Sequence, residues 1–299
     1  MGIRNDNNTL PMENGPSMIF RFGLILVIGY VCLVVLVFIM QRKMLYFPDR
    51  EKPKSNQIKA LGLDYWPGKG KGYRGFVAIQ PDSSISPGLE KTADFRKVRG
   101  TIIVFHGNAG AAWHRDYYVN ALKPLGYHVL LTEYPGYGGR TGSPSETSFI
   151  KDAHQTIRLA HEAFGGPLYL WGESLGCGIV AAVADSSPVP VDGICLITPW
   201  DSLPDLAQSI YWYFPVRLLI KDRYDNVANL ASYQGPVAIV MATLDNIIPN
   251  KRTLRLYKQI KSPKRLWRFK DAGHNDWPTE HNAKWWREVM MFIASNGQE

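Results

Sequence analysis

The chain opens on one long apolar run and then changes rhythm. Phe22 to Met40 is nineteen residues without a charge. A helix of that length spans ~28 Å at ~1.5 Å per residue. That matches a hydrocarbon core of ~30 Å. Such a helix satisfies its own backbone groups and lets every side chain face lipid. Arg21 and Gln41-Arg42-Lys43 bracket the run. A secretory leader has a shorter apolar stretch and small residues at its exit. This run leaves through Gln-Arg-Lys-Met-Leu-Tyr-Phe-Pro, with nothing small. Tyr30 and Val31 before Cys32 make a poor lipoprotein site. A buried core helix is the remaining rival, since an all-round apolar helix also suits a large core. The expectation is a single-pass anchor, with the lipid bilayer as partner of Phe22–Met40.

After residue 74 short apolar runs alternate with longer amphipathic stretches. The pattern predicts strands at Gly75–Ile79, Thr101–Phe105, Val129–Glu133, Leu168–Trp171, Ile194–Ile197, Val237–Ala242 and Leu266–Phe269. Most are continuously apolar, as strands covered on both faces should be. It predicts helices at Ala111–Lys123, Glu146–Phe164, Leu175–Asp185, Lys251–Lys261 and Asn282–Ser295. Ser145 is placed to start the second helix and Gly165-Gly166-Pro167 to stop it. The alternation implies a mostly parallel central sheet with helices on both faces. Catalysis in such sheets sits beyond the carboxyl ends of the strands. The division expected is a tail at 1–17, an anchor at 18–41, a juxtamembrane linker and entry to the fold at 42–74 and an α/β domain at 75–299. Pro and Gly punctuate 44–74 and argue against regular elements there. Residues 81–99, rich in Ser, Pro and Lys, read as a long solvated loop.

Composition changes this picture little. Of 299 residues, 45% are apolar and 20% charged, which excludes disorder for most of the chain. The three cysteines give no disulfide framework and no metal-ligand spacing, so no cofactor or metal is expected. The net charge of +8 lies after the apolar run. Nine Lys/Arg fall in Arg42–Arg74 and nine in Lys251–Lys270. The first block puts the large domain on the cytoplasmic side by the positive-inside rule, though large domains override loop charge. The second reads as a solvated helix face with Leu254, Tyr257 and Ile260 turned inward, or as a contact for anionic headgroups. No binding module accompanies the charge, so no nucleic-acid partner is expected. Oligomeric state is not legible.

The chemistry is carried by Gly172-Glu173-Ser174-Leu175-Gly176. Alone, G-x-S-x-G recurs by chance. Here an apolar strand runs into it and a small-residue helix runs out, the strand–turn–helix of a nucleophile elbow. A serine hydroxyl needs a base, and the base an orienting carboxylate. Asp245 follows the strand Val237–Ala242, and His274 follows Leu266–Phe269. All three therefore meet at one edge of the sheet, in the order Ser, acid, His. Asp201, after Ile194–Ile197, is the rival acid. Asp271 and Asp276 lie too near His274 and read as loop hydrogen-bonders. The oxyanion needs two backbone N–H groups; Leu175 and Asn108, in His106-Gly107-Asn108-Ala109-Gly110, are the candidates. His154 and His161 read as exposed and His106 as structural, and His114, His128 and His281 show no partner logic in the sequence.

With these residues in view, the chain from about Met44 onward resembles the Bem46-like and ABHD13-like branch of the α/β-hydrolase superfamily. The resemblance rests on Leu45-Tyr46-Phe47-Pro48, FHGNAG at 105–110, EYPGYGGRTGSPSE at 133–146 and WGESLG at 171–176. Ser202–Asp205, Pro215–Leu219, Asp222–Asp225 and the two later triad positions extend it. It implies an α/β-hydrolase fold behind one N-terminal transmembrane helix. It also implies a Ser174, Asp245, His274 triad and lipase, esterase or acyl-thioesterase activity. Two departures stand out. Relatives more often carry Tyr-Arg-Gly where Tyr134-Pro135-Gly136 stands. A neutral pair is usual in place of Trp200-Asp201, which keeps the rival acid open.

Residues 200–233 fall where this fold often inserts a cap. Trp200, Tyr211, Trp212 and Phe214 are candidate pocket residues for an acyl chain. The bland alternative is a helix pair packed on the core. An ester or thioester of a lipid-like acyl group is the expected substrate. A peptide amide on the same triad and a non-catalytic membrane scaffold are the alternatives.

Overall fold

The computed structural model describes residues 18–70, 72–79 and 98–298. Most of the loop expected at 81–99, and the tail at 1–17, lie outside the described residues. The chain divides into two units, one ending at Gln41 and one running from Arg42 to Glu299. The described part of the first is helix α1, Met18–Leu45, which continues into the second. None of its residues is buried, and its most apolar 18-residue window has a mean hydropathy of 3.1. By length and composition α1 is a candidate membrane span.

The second unit is built on an eight-stranded sheet. Its strands are β2 (Leu63–Trp66), β3 (Gly75–Ala78), β4 (Thr101–Phe105), β6 (His128–Thr132), β7 (Leu168–Glu173), β8 (Gly193–Ile197), β9 (Val237–Ala242) and β10 (Lys264–Phe269). The spatial order is β10-β9-β8-β7-β4-β6-β3-β2. Every pairing from β10 to β6 is parallel, and β3 and β2 close the far edge antiparallel. A separate two-stranded parallel sheet joins β1 (Phe47–Pro48) to β5 (Ala109–Gly110).

Alternate side chains of a strand point to opposite faces, and the central strands feed two cores accordingly. Ile103, Phe105, Leu168, Leu170, Val237 and Ile239 enter one. Helices α4 (Glu146–Phe164), α5 (Leu175–Ala184) and α9 (Asn250–Gln259) cover it. Ile102, Val104, Tyr169, Trp171, Ala238 and Val240 enter the other. Helices α2 (Ser55–Ala60), α3 (Asp116–Leu122) and α10 (Lys284–Ala294) cover that side. Trp285 and Trp286 stack at 3.9 Å, and Trp286 stacks on Trp171 at 5.6 Å. These rings tie α10 to β7.

Several expectations need correction. Residues 44–74 are not without regular elements: they hold β1, α2 and β2. Ile58, Leu63, Tyr65 and Trp66 are buried, and that apolar content outweighs the Pro and Gly of the segment. The helix expected at Ala111–Lys123 is broken into a tight turn Ala112–Arg115, α3, and a second tight turn Lys123–Leu125. The Glu133 carboxylate accepts the Ala112 N–H at 3.1 Å, and Pro124 has no N–H to continue the ladder. Glu133 lies outside β6, whose ladder begins at His128. On α9 the buried residues are Thr253 and Leu256, followed by Ile260; Leu254 and Tyr257 are half-buried. Helix α4 begins as expected, with Ser145 Oγ accepting the Ser148 N–H at 3.1 Å. Residues 200–233 form α6 (Leu203–Ile210), α7 (Val216–Leu219) and α8 (Asn226–Asn229) between β8 and β9.

Candidate active site

Strand β7 delivers Ser174 at its carboxyl end, and α5 begins one residue later. Ser174 has φ 49° and ψ −114°, a strained conformation for a residue with a side chain. The surroundings enforce it. The Ser174 N–H donates to Ile197 O at 2.9 Å, tying the turn to β8. A Cβ on Gly172 would stand 2.7 Å from the backbone of Gly176 and Cys177. A Cβ on Gly176 would stand 1.9 Å from Phe105 O. Strand and helix cross this closely because both flanking positions are glycine.

His274, on the loop after β10, is buried and sits between the other two groups. Its Nε2 lies 2.9 Å from Ser174 Oγ and its Nδ1 2.8 Å from Asp245 Oδ2. Asp245 belongs to a turn after β9, where its Oδ1 accepts the N–H groups of Ile247 and Ile248 at 2.9 and 2.7 Å. Those bonds hold the carboxylate so that the other oxygen faces the imidazole. The side chains of Asp245 and His274 are only 3% and 6% exposed, so their hydrogen bond is shielded from water.

The rival acid is engaged elsewhere. Asp201 is buried, with Oδ1 accepting its neighbour's N–H at 2.9 Å and Oδ2 accepting Arg252 Nη1 at 3.0 Å. Asp276 is a loop hydrogen-bonder, accepting the Gly273 N–H. Asp222, far from any triad role, is bonded to Arg42.

The loop after β4 lies beside Ser174: a Cβ on Gly107 would be 3.6 Å from Ser174 Cβ. Leu175 is the first residue of α5, where N–H groups have no partner within the helix. His106 is structural, as expected. It is buried against Tyr134, with ring centroids 4.2 Å apart, and its Nε2 lies 3.3 Å from Glu133 Oε1.

Sequence reasoning missed a second layer. Glu173, the variable residue before the serine, accepts Arg115 Nε at 3.2 Å, Tyr117 Oη at 2.8 Å and Tyr118 Oη at 3.3 Å. Burial and the Glu173 charge push both tyrosine hydroxyls upward in pKa, so they act as donors. The spacing of Arg115, Tyr117 and Tyr118 on a broken helix gave no signal for this. The other histidines also differ from expectation. His154 and His161 are half-buried, the former bonded to Ser186 at 3.0 Å. His114 Nδ1 accepts the Ala111 N–H at 3.3 Å, and His128 stacks on Phe164. The four candidate pocket residues are divided. Trp200 is buried in the core with Leu175 and Leu206, Phe214 is half-buried, and Tyr211 and Trp212 are exposed. Among the described residues no cluster of three or more His, Cys, Asp or Glu is placed to hold a metal ion.

A family model described as the alpha/beta hydrolase fold matches residues 100–232. Rv2307c of Mycobacterium tuberculosis is 30% identical over 251 residues, spanning 81% of this chain and 83% of its own length. The chain belongs to the α/β-hydrolase family. Another relative of this α/β-hydrolase is the lysophosphatidylserine lipase ABHD12 of Danio rerio. It is 27% identical over 269 residues, covering 77% of this chain and 67% of that protein. Among solved structures, an esterase of Pyrococcus furiosus superposes with a TM-score of 0.61 at 15% identity. That match covers 84% of this chain and 97% of the esterase. A monoacylglycerol lipase of Paleococcus ferrophilus gives 0.50 at 21% identity, over 67% and 95%. At these identities the structural likeness speaks for the fold alone.

Proposed function

We propose that the chain is a serine hydrolase that cleaves carboxylic ester or thioester bonds of lipid-like acyl groups while held at a membrane by α1. The observation that carries the reading is the His274 bridge, 2.9 Å to Ser174 Oγ on one side and 2.8 Å to Asp245 on the other. In this reading His274 Nε2 takes the Ser174 proton as Oγ attacks the acyl carbonyl carbon. Asp245 accepts the Nδ1–H bond and stabilises the imidazolium. The N–H groups of Leu175 and Asn108 receive the negative oxygen of the tetrahedral intermediate. His274 then passes the proton to the departing alcohol or thiol, leaving an acyl-Ser174. Water, deprotonated by His274, releases the acid and restores the serine.

The lipid-like substrate is supported by the surface around the site. Leu244 and Ile247 flank Asp245 and are 64% and 49% exposed. In the cap, Ile210, Tyr211, Trp212, Tyr213 and Leu218 are all exposed. Apolar surface of this kind marks contact with lipid or another apolar partner. The named relative ABHD12 is a lysophosphatidylserine lipase, which agrees in substrate class. Asn108, Leu175 and the pocket residues Trp200, Tyr211, Trp212 and Phe214 are site assignments of this same proposal. The basic flank after the anchor supports a cytoplasmic catalytic domain; a glycosylation reporter fused to the C-terminus checks this and stays unmodified if that orientation is right.

The substrate class is tested on the full chain in mixed micelles. Long-chain monoacylglycerol and lysophospholipid should turn over faster than short soluble esters. Turnover of peptide amides alone, with no ester or thioester cleaved, would remove the acyl reading.

A further inference from the structure

The segment that leaves α1 does more than connect. Phe47 N–H donates to Asn108 O at 2.9 Å, and Asp49 N–H to Gly110 O at 2.9 Å. In the other direction Asn108 Nδ2 donates to Leu45 O at 2.8 Å. Tyr137 Oη adds a further bond to Asn108 O at 2.7 Å. Three bonds thus converge on Asn108, and two of them come from residues 45–47. Fixing its carbonyl and its side chain leaves little rotation for the N–H on the same residue.

The same segment is fastened at its other side. Arg42 grips Asp222 with two bonds of 2.8 and 2.9 Å. Tyr46 is buried, with its hydroxyl 3.2 Å from Tyr224 Oη and its ring edge-on to Phe149 at 5.3 Å. The Tyr224 ring in turn packs on α5 where Gly178 leaves room; a Cβ there would stand 2.6 Å from it. Residues 42–49 therefore touch both the loop beside Ser174 and, through Tyr224, the helix that starts just after it. Among the described residues the two-residue strand β1 pairs with β5 and not with the main sheet. Its hydrogen bonds go to the loop that the catalytic reading assigns to the oxyanion.

We infer that residues 42–49 are a positioning element of the oxyanion site, holding the Asn108 N–H in register with Ser174. The inference rests on the hydrolase reading above and adds to it. Asn108 contributes its main chain to the reacting centre, and Leu45 and Phe47 act through it. In a chain held by α1, the exit from the anchor and the oxyanion loop are then one hydrogen-bonded unit.

Two variants of the full chain in detergent micelles test this with p-nitrophenyl butyrate. Phe47→Pro removes the donor to Asn108 O without changing Asn108 itself. Asn108→Ala removes the bond to Leu45 O and keeps the residue's own N–H. Displacement by ~1 Å costs up to ~10²-fold in rate, so a partly loosened loop should lower kcat about tenfold. KM should stay within about twofold, and the acid limb of the pH profile should not move, because the general base His274 is untouched. The melting midpoint should stay within about 2 °C. If both variants keep wild-type kcat while Ser174→Ala is inactive, the positioning inference falls and the hydrolase reading stands. If the losses match the fraction of unfolded protein, or appear equally in KM, the inference also falls. If wild-type turnover is the same as that of Ser174→Ala, the hydrolase reading falls first and takes the inference with it.

Discussion

Gly176→Ala adds one methyl group at the tightest crossing in the molecule. The new Cβ would lie 1.9 Å from Phe105 O, 2.6 Å from Phe105 C and 2.9 Å from His106 O. Ordinary contact begins near 3.4 Å, so backbone must part by about 1.5 Å in an interior packed like a crystal. The atoms met are main chain of β4 and of the loop beside the nucleophile, and no side chain can swing away. Helix propensity favours alanine by ~1 kcal/mol, but overpacking costs ~1–3 kcal/mol or more, and the clash wins. The relief available is to push α5 and Ser174 away from the Gly107–Asn108 loop. A shift of ~1 Å between reacting groups costs ~10²-fold. We therefore expect a lowered melting midpoint. The rate constant of fluorophosphonate labelling per folded molecule should fall about a hundredfold. Gly68→Ala, which meets open space, is the matched control. A Gly176→Ala protein that melts with wild type and labels within twofold of it would refute the packing argument.

Asp245→Asn should lower kcat by about 10²-fold or more, because the imidazolium loses its partner. Asp201→Asn should instead cost stability, about 1–3 kcal/mol from the broken Arg252 bond, with kcat unchanged per folded molecule; the reverse pattern would restore Asp201 as the acid. Burial pushes the Cys177 thiol well above its ordinary pKa, and its Sγ donates within the core at 3.1 Å. Iodoacetamide should therefore modify it only after denaturation, and labelling of the native protein at Cys177 would contradict this. Burial against Phe164 lowers the pKa of His128. The unfolded chain then binds more protons below ~6.5, so this stabilisation is present above that pH and is lost as pH falls. His128→Phe should melt with a smaller drop between pH 7.5 and 5.5, and an equal drop in both proteins would contradict the assignment.

Much of this molecule could be read in the sequence, for definable reasons. Short continuous apolar runs such as Ile102–Phe105 and Val237–Ala242 are too short for a buried helix and suit a strand covered on both faces. The elbow was legible because three constraints coincide at Gly172–Gly176: an apolar strand, a small-residue helix and a serine between glycines. Asp245 and His274 followed from their places after strand ends. What stayed hidden depends on contacts distant in sequence. Edge strand β2 is short, and Pro67 to Gly72 beside it masked its apolar residues. The break in the helix after Ala111 is set by Glu133, 22 positions away from it. The Arg115–Glu173 pair bridges 58 positions and Asn108–Leu45 63. No local pattern encodes either, so the support around the site appeared only with the fold.

The central claim is that Ser174 is an activated nucleophile. The most direct test treats full-length protein in lipid with a fluorophosphonate and maps the adduct by peptide mass spectrometry, beside Ser174→Ala. The account predicts one adduct on the peptide carrying Ser174, formed in wild type and absent from the variant. No adduct in wild type, or equal labelling of both proteins, would contradict it.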